Sequence, residues 1–188
     1  TLYSHNQLYG RWYVVKRDKQ PATGRTLRVA IHTDTHSALL YSASEIEVLT
    51  PEQLPLQKYL AKLGPDALDD SVAWCDVLDR LLSKQFSKRS LAALYLDQAF
   101  VAGIGNYLRS EILHAAGLHP FDRPCDLTRA QLGALSRATL DLTRQSLATA
   151  GITNSPKRVA ELKREGFTRS LYRFVVFDRQ GEGCYRCA

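Results

Sequence analysis

The hydrophobic pattern has a period of two in the first fifty residues and a longer, helical period afterwards. Three early stretches are rich in aromatic, β-branched or alternating apolar residues: Arg11–Lys16, Leu27–His32 and residues 37–43. Polar loops that contain proline or glycine separate them, at the spacing of hairpins or a meander. The pattern predicts a strand-rich module over residues 1–50.

After residue 50, apolar positions recur every three to four residues. A short helical piece over residues 56–63 ends at Gly64-Pro65, and an amphipathic helix covers residues 74–82. Residues 91–102 are apolar on nearly all sides, which predicts a central, buried helix. The next helix begins at Asn106.

The last third of the chain combines one clear helix with weaker signals. Thr128 and Gln131 form a capping box, and Leu127 with Leu132 forms a hydrophobic staple, so a helix starts near Thr128. Residues 148–166 are polar, and we interpret them as a mobile loop. Residues 171–177 have strand character. Because strands and helices are segregated, we expect an α+β protein of two modules.

Composition is that of a soluble globular protein, with 45% hydrophobic and 23% charged residues in 188. No apolar run reaches membrane-span length and no signal peptide is present, so we expect no membrane partner and a reduced intracellular setting. The net charge is +6, and residues 157–173 hold six basic against two acidic side chains. This favours an anionic partner, although a mildly basic soluble protein would show the same excess.

The stretch Gly103-Ile104-Gly105-Asn106 joins two helical segments at a sharp corner. Glycines let backbone N–H groups approach a ligand closely, and a helix N-terminus with its unpaired N–H groups suits phosphate. An ordinary corner is the alternative, since glycine ends helices and asparagine caps them.

This corner resembles the helix–two-turns–helix element of the formamidopyrimidine-DNA glycosylase and endonuclease VIII family. The stretches "LYSHNQLYGRW", "LYSASEIEVL", "LGPDALD" and "YRFVVFDRQGEGCYRC" also look like that family, in the same order. The matching residues of the element are Asp97, Gln98, Gly103, Gly105, Asn106, Tyr107, Glu111, Ala116, Gly117 and Leu118. The stretch "HNQLYG" resembles the endonuclease VIII branch, which takes oxidised pyrimidines.

The resemblance implies a division of the chain into four parts. We expect residues 1–50 to be part of an N-terminal β-sandwich and 51–70 an inter-domain linker with a short helix. Residues 71–166 would form the helical helix–two-turns–helix domain, and 167–188 the first half of a zinc-finger β-hairpin. The implied partner is double-stranded DNA with oxidised bases or abasic sites, bound by a monomer in the nucleoid of a bacterial cytoplasm.

The resemblance also assigns roles around the corner. Asn106 would bind a DNA phosphate next to the lesion, with Gly103, Gly105 and Glu111 as structural support. Arg109 would reach phosphate or the extruded nucleotide. Glu111 and Arg109 also fit ordinary solvated helix positions, and those alternatives remain open.

Two further DNA contacts follow from the same resemblance. Gln7, Leu8 and Tyr9 would fill the gap left by a flipped base, because apolar or aromatic wedges can replace a lost stacking partner. Taken alone, that stretch would be a hairpin tip. Lys62 stands where endonuclease VIII often has arginine, so its charge would attract phosphate without the bidentate fork.

The pair Cys184 and Cys187 has the spacing of half a zinc site, since structural zinc usually takes four ligands. A thioredoxin-like redox pair is the competing interpretation, but such a pair normally opens a helix in a βαβ unit. We therefore expect structural zinc, with two of its four ligands in this chain.

Catalysis in the family begins at an N-terminal proline amine, which attacks the sugar with help from a glutamate and a later lysine. None of these matches a residue of this chain, which begins at Thr1 and contains no methionine. We therefore expect a processed or excised piece, inactive by itself, of a glycosylase that also cleaves abasic strands by β,δ-elimination. A non-catalytic nucleic-acid-binding module and a thiol oxidoreductase are the alternatives.

Overall fold

The chain divides into two units, Thr1–Ala61 and Lys62–Ala188, in a computed structural model that describes residues 1–7 and 9–185. The division falls inside the segment 51–70 that the sequence marks as a linker. Among the described residues, every strand lies in the first unit and every α-helix in the second. The expected α+β class is confirmed.

The first unit contains two small antiparallel sheets. The three predicted strands form one sheet in the order β2-β4-β3, and two short strands that the pattern did not predict form the other, β1-β5. The bounds are Leu2–His5 (β1), Arg11–Lys16 (β2), Leu27–His32 (β3), His36–Tyr41 (β4) and Glu45–Val48 (β5). In the larger sheet Arg11 lies opposite Tyr41 and Lys16 opposite His36.

The central strand β4 supplies most of the buried surface of the first unit. Leu39, Leu40 and Tyr41 are buried, and so is Ser37. The Ser37 hydroxyl is satisfied because it contacts His32 Nδ1 and donates to the Arg17 carbonyl. A buried polar group thus keeps its hydrogen bonds, as it must in a small core.

The second unit is a cluster of helices around one hydrophobic core. The helices are Trp74–Leu82 (α1), Leu91–Leu94 (α2), Asn106–Ala116 (α3), Arg129–Ala148 (α4), Pro156–Arg164 (α5) and Arg169–Tyr172 (α6). Leu91, Phe100, Ile112 and Leu135 are fully buried at its centre. Each such side chain contributes roughly 1.5–3 kcal/mol by leaving water. None of the helices in the described part of the chain is long and apolar enough to cross a membrane.

Local signals placed several helix boundaries correctly. Helix α1 and the start of α3 at Asn106 agree with the prediction. The capping box at α4 is present: Thr128 N donates to Gln131 Oε1 at 2.9 Å, and Gln131 N donates to Thr128 Oγ1 at 3.3 Å.

Two predicted helices are wrong in extent because glutamine and aspartate side chains bind the backbone instead. In place of one helix over residues 56–63, the chain has two separate 3₁₀ turns, Leu54–Leu56 and Leu60–Lys62, since the Gln57 amide oxygen accepts from the N–H groups of Tyr59 and Leu60. Residues 91–102 are helical only over Leu91–Leu94, after which Asp97 and Gln98 bind the backbone of the following turns.

The predicted mobile loop over residues 148–166 is also wrong. Residues 156–164 form α5, with Pro156 in its first turn and the Ser155 hydroxyl accepting from Arg158 N at 3.2 Å. The preceding turn is anchored because Asn154, only 4% exposed, donates to the carbonyls of Tyr172 and Phe174.

The predicted strand over residues 171–177 is replaced by the short helix α6 and an irregular segment. Within residues 167–185, which are the described part of the expected zinc hairpin, no strand is present. A strand needs a partner for its N–H groups, and here Val175, Val176 and Phe177 donate theirs to the Glu111 carboxylate.

Candidate nucleic-acid interface

The corner between α2 and α3 is held by the segment around Gly64, which runs beside it. Gly64 N donates to Gln98 O at 2.9 Å, and Ala102 N donates to Pro65 O at 2.9 Å. A Cβ on Gly64 would lie 2.6 Å from the carbonyl oxygen of Phe100, so a side chain has no room there. The "LGPD" stretch is therefore part of the corner.

The Gln98 side chain forms hydrogen bonds with the backbone of the corner. Its Nε2 donates to Ile104 O at 2.9 Å, and its Oε1 accepts from Gly103 N at 2.9 Å. Gly103 has φ +92°, a left-handed conformation that favours glycine. The Gln98 amide thus binds both the Gly103 N–H and the Ile104 carbonyl. The sequence did not reveal this role.

Two arginines and Asp97 stabilise the start of the same turn. Asp97 Oδ2 pairs with Arg89 at 2.6 Å, and its Oδ1 accepts from Ala99 N at 2.9 Å. The hydrogen bond from Arg89 lowers the pKa of Asp97 below its ordinary value. Arg80 Nε donates to Phe100 O at 2.6 Å, and its Nη2 donates to the Ala99 carbonyl.

The N-terminus of α3 presents unpaired donors. The N–H groups of Gly105, Asn106, Tyr107 and Leu108 have no acceptor among residues 1–7 and 9–185. Asn106 is exposed, and its side-chain amide has no hydrogen bond within that part of the chain. These are the four donors that a helix start leaves unsatisfied, and they carry its partial positive charge.

Gly105 leaves open space beside these donors. Its backbone is extended (φ −119°, ψ −171°), so its conformation would accept other residues. A Cβ built on it would meet nothing within 4 Å. The packing of the described chain therefore does not require glycine at this position.

Glu111 is buried, with 2% exposure, so its interpretation as an exposed helix residue is wrong. Its Oε2 accepts from Thr153 Oγ1 at 2.6 Å and Val175 N at 2.9 Å. Its Oε1 accepts from Val176 N and Phe177 N, both at 2.8 Å. The carboxylate holds residues 175–177 against α3 and makes no hydrogen bond to Gly103 or Gly105.

The two basic residues assigned to this unit differ in environment. Arg109 is half-buried, and its Nη1 lies 3.4 Å from the Ala92 carbonyl. Lys62 is exposed at the end of a 3₁₀ turn, two residues before Gly64. Lys62 forms no ion pair within the described residues, so its charge is available to a ligand.

In the first unit, a turn that includes Gln7 and Tyr9 lies between β1 and β2. Because these strands lie in different sheets, the turn joins two sheets and is not a hairpin tip. Gly10 N donates to Asn6 O at 2.6 Å, Gln7 has φ +47°, and Tyr9 is 71% exposed. Leu8 lies outside the described residues. The turn projects Tyr9 into solvent.

The residues that the structure describes do not form a zinc site. No group of three or more His, Cys, Asp or Glu side chains that could hold a metal occurs among them. Cys184 is half-buried, and Cys187 lies outside the described residues. Cys75 and Cys125 lie at the surface in other elements.

Comparisons with known proteins identify the family. Residues 63–157 match the formamidopyrimidine-DNA glycosylase H2TH domain. Endonuclease 8 from Escherichia coli O17:K52:H18 (strain UMN026 / ExPEC) is 51% identical over 187 residues, which cover 100% of this chain and 68% of that protein. Endonuclease 8 from Escherichia coli (strain K12 / DH10B) has the same identity and coverage.

A solved structure has the same fold at low sequence identity. The Lactococcus lactis formamidopyrimidine-DNA glycosylase, non-covalently bound to DNA with an AP site, superposes with a TM-score of 0.74 at 18% identity. The match covers 100% of this chain and 65% of that one, so the chain spans about two thirds of its relatives' length. The chain belongs to the formamidopyrimidine-DNA glycosylase and endonuclease VIII family of DNA glycosylases and AP lyases, which act in base-excision repair.

Proposed function

We propose that this chain is the DNA-gripping part of a glycosylase that removes oxidised pyrimidines and then cleaves the abasic strand by β,δ-elimination. Its partner is duplex DNA with oxidised bases or abasic sites, in the nucleoid of a bacterial cytoplasm. The start of α3 binds a phosphate beside the lesion, through the backbone N–H groups near Gly105 and the amide of Asn106.

The observation that carries this proposal is the set of unpaired donors at one solvent-facing helix start. Buried corners satisfy their donors internally, whereas these four and the exposed Asn106 amide have no acceptor in the described chain. An anionic oxygen satisfies several of them at once, and the helix dipole favours its charge. The open space beside Gly105 lets a phosphate approach the backbone.

The test is the binding of the 188-residue chain to duplexes with and without an abasic-site analogue. Asn106→Ala removes one hydrogen bond to a charged group, worth roughly 1.5–3 kcal/mol. It should weaken binding about tenfold or more on every duplex, because phosphate contacts carry no sequence information. Gln20→Ala, which removes an equally exposed amide from the first unit, is the matched control. Unchanged affinity of Asn106→Ala would contradict the proposal.

The segment between β1 and β2 supplies the wedge in this proposal. Gln7, Leu8 and Tyr9 fill the space of the extruded base, and the exposed Tyr9 ring offers a stacking surface. Leu8→Gly should therefore reduce the preference for abasic over intact duplex more than it reduces affinity for intact duplex. Equal losses on both duplexes would count against a wedge.

Borohydride trapping separates a glycosylase from a non-catalytic helix–two-turns–helix binder. A lyase forms a Schiff base with abasic DNA, and reduction makes that adduct permanent. We expect the product of the complete gene to be trapped and the 188-residue chain to bind without trapping. A complete gene product that binds abasic DNA and is never trapped would favour the non-catalytic module.

We assign Cys184 and Cys187 to a structural zinc site as two of its four ligands, because a Cys-x-x-Cys pair has the spacing of half such a site. Thiolates are common ligands of tetrahedral structural zinc. Metal analysis of the complete gene product should find one zinc per chain, reduced in Cys184→Ser. A zinc-free protein with wild-type stability would refute the assignment.

A further inference from the structure

Arg173 occupies an unusual place next to the start of α3. Its Nε donates to Gly151 O at 2.9 Å, and its guanidinium carbon lies 4.5 Å from the ring centroid of Phe174 and 5.6 Å from that of Tyr107. The guanidinium of Arg173 therefore lies over the ring of Tyr107, which belongs to α3. Gly151 makes room for it, since a Cβ there would lie 2.6 Å from Arg173 Nη2.

The guanidinium borders a cleft of about 300 Å³ that also includes Gly103 and Tyr107. Its other lining residues are Leu68, Leu108, Thr143, Ser146, Leu147, Ala150 and Gly151. None of the lining residues is acidic. The nearby Asp66 carboxylate accepts from Leu68 N at 2.9 Å, within its own turn. One side of the corner is therefore an open cleft with a cation at its edge.

Arg173 has unused hydrogen-bonding capacity. Among its side-chain nitrogens only Nε makes a hydrogen bond, and Arg173 is in no ion pair within residues 1–7 and 9–185. Four of its five N–H groups thus have no acceptor in the described chain. The aromatic faces and the Gly151 carbonyl hold the guanidinium in one orientation, which reduces the entropy lost when a ligand binds.

Two positive features converge at this cleft: the guanidinium of Arg173, which is in no ion pair within the described residues, and the N-terminal end of α3. A planar fork with free N–H groups matches a phosphate bidentately. We propose that Arg173 binds a second DNA phosphate, next to the one at Asn106, so that two consecutive phosphates of the damaged strand are held. This inference rests on the proposed function of the corner.

The salt dependence of DNA binding tests the inference, because each neutralised phosphate contributes about 0.9 to the slope of log K against log salt. We compare the 188-residue wild-type chain with Arg173→Gln and Arg173→Lys on an abasic-analogue duplex. Arg173→Gln should bind about tenfold more weakly, with a slope smaller by about 0.9. Arg173→Lys keeps the charge and loses the fork, so its slope should stay near wild type while its affinity falls.

Arg129→Gln is the matched control. Arg129 is equally charged and exposed at the first turn of α4, about 26 Å along that helix from Ser146 in the cleft. It should leave the slope unchanged. Thermal melting checks the fold of each variant. If Arg173→Gln does not fold, Arg173→Lys decides: lowered affinity with a wild-type slope supports the inference, and unchanged affinity overturns it.

The outcomes separate this inference from the proposed function. If Asn106→Ala weakens binding and a folded Arg173→Gln keeps the wild-type slope, Arg173 is only a structural residue and the corner still binds DNA. If Asn106→Ala has no effect, the proposed function fails, and a second phosphate beside that corner fails with it.

Discussion

The Glu111 carboxylate accepts four hydrogen bonds while it is almost fully buried, so replacing it with the isosteric amide should be costly. In Glu111→Gln the amide oxygen best takes the place of Oε1, where Val176 N and Phe177 N both donate. The new NH₂ group then faces Thr153, whose hydroxyl can turn to accept, and Val175 N, which cannot. One backbone N–H loses its acceptor.

The magnitude follows from these contacts. An orphaned buried donor costs roughly 1–3 kcal/mol, and the two backbone hydrogen bonds that remain weaken by about 1 kcal/mol each when the charge is removed. Burying a neutral amide costs less free energy than burying a carboxylate, which offsets part of this destabilisation. The net destabilisation of the second unit should be about 3 kcal/mol, or a fall in melting temperature of roughly 10 °C.

Urea unfolding and amide hydrogen exchange measure the effect. The chain has two units, so the transition of the second unit is followed separately, by exchange of its core amides. Amides 175–177 should lose protection first. Glu165→Gln, an exposed glutamate on the surface after α5, serves as control. If Glu111→Gln matches that control in both midpoint and exchange, the clamp does not stabilise the unit.

Two further predictions concern the corner. Gly103→Ala should destabilise the second unit by about 1 kcal/mol or more, because φ is +92°, whereas Gly105→Ala should melt like wild type and still lose DNA affinity. Melting and binding curves of the pair check this, and parallel losses would contradict it. Since Arg89 lowers the pKa of Asp97, that pair stabilises the folded state above the ordinary Asp pKa of about 3.9 and loses its effect as pH falls through the lower, folded value. Asp97→Asn should therefore be less stable than wild type near neutral pH, and the difference in urea midpoint should shrink in acid. A constant difference would refute this reasoning.

Local sequence signals explain which elements could be predicted. The α4 cap depends on Thr128 and Gln131, three residues apart, and the amphipathic α1 needs only its own periodicity. The apolar run after Leu91 wrongly predicts a long helix. Its helical propensity is overridden because the Gln98 amide binds the backbone of the turn. The α5 start could have been predicted, since Ser155-Pro156 is a recognisable helix opening.

Local sequence likewise predicts some parts of the candidate site and not others. The corner at Asn106 could be predicted because its glycines and helix start are adjacent in sequence. The contacts of Glu111 could not, since its partners lie 42 to 66 positions away. Arg173 reaches the same corner only after the chain has folded, so neither its cleft nor its stacking on Tyr107 leaves a local pattern.

The short run from Gly64 to Ala67 has a consequence for how this protein can be dissected. It contributes no helix, yet three backbone hydrogen bonds tie it to residues 98 and 102. A domain excised from Val72 onward would retain the six α-helices of the described chain and bury much the same core. It would nevertheless lose these hydrogen bonds to the turn before α3. Such a domain would fold and yet fail to bind DNA, although the longer chain binds it.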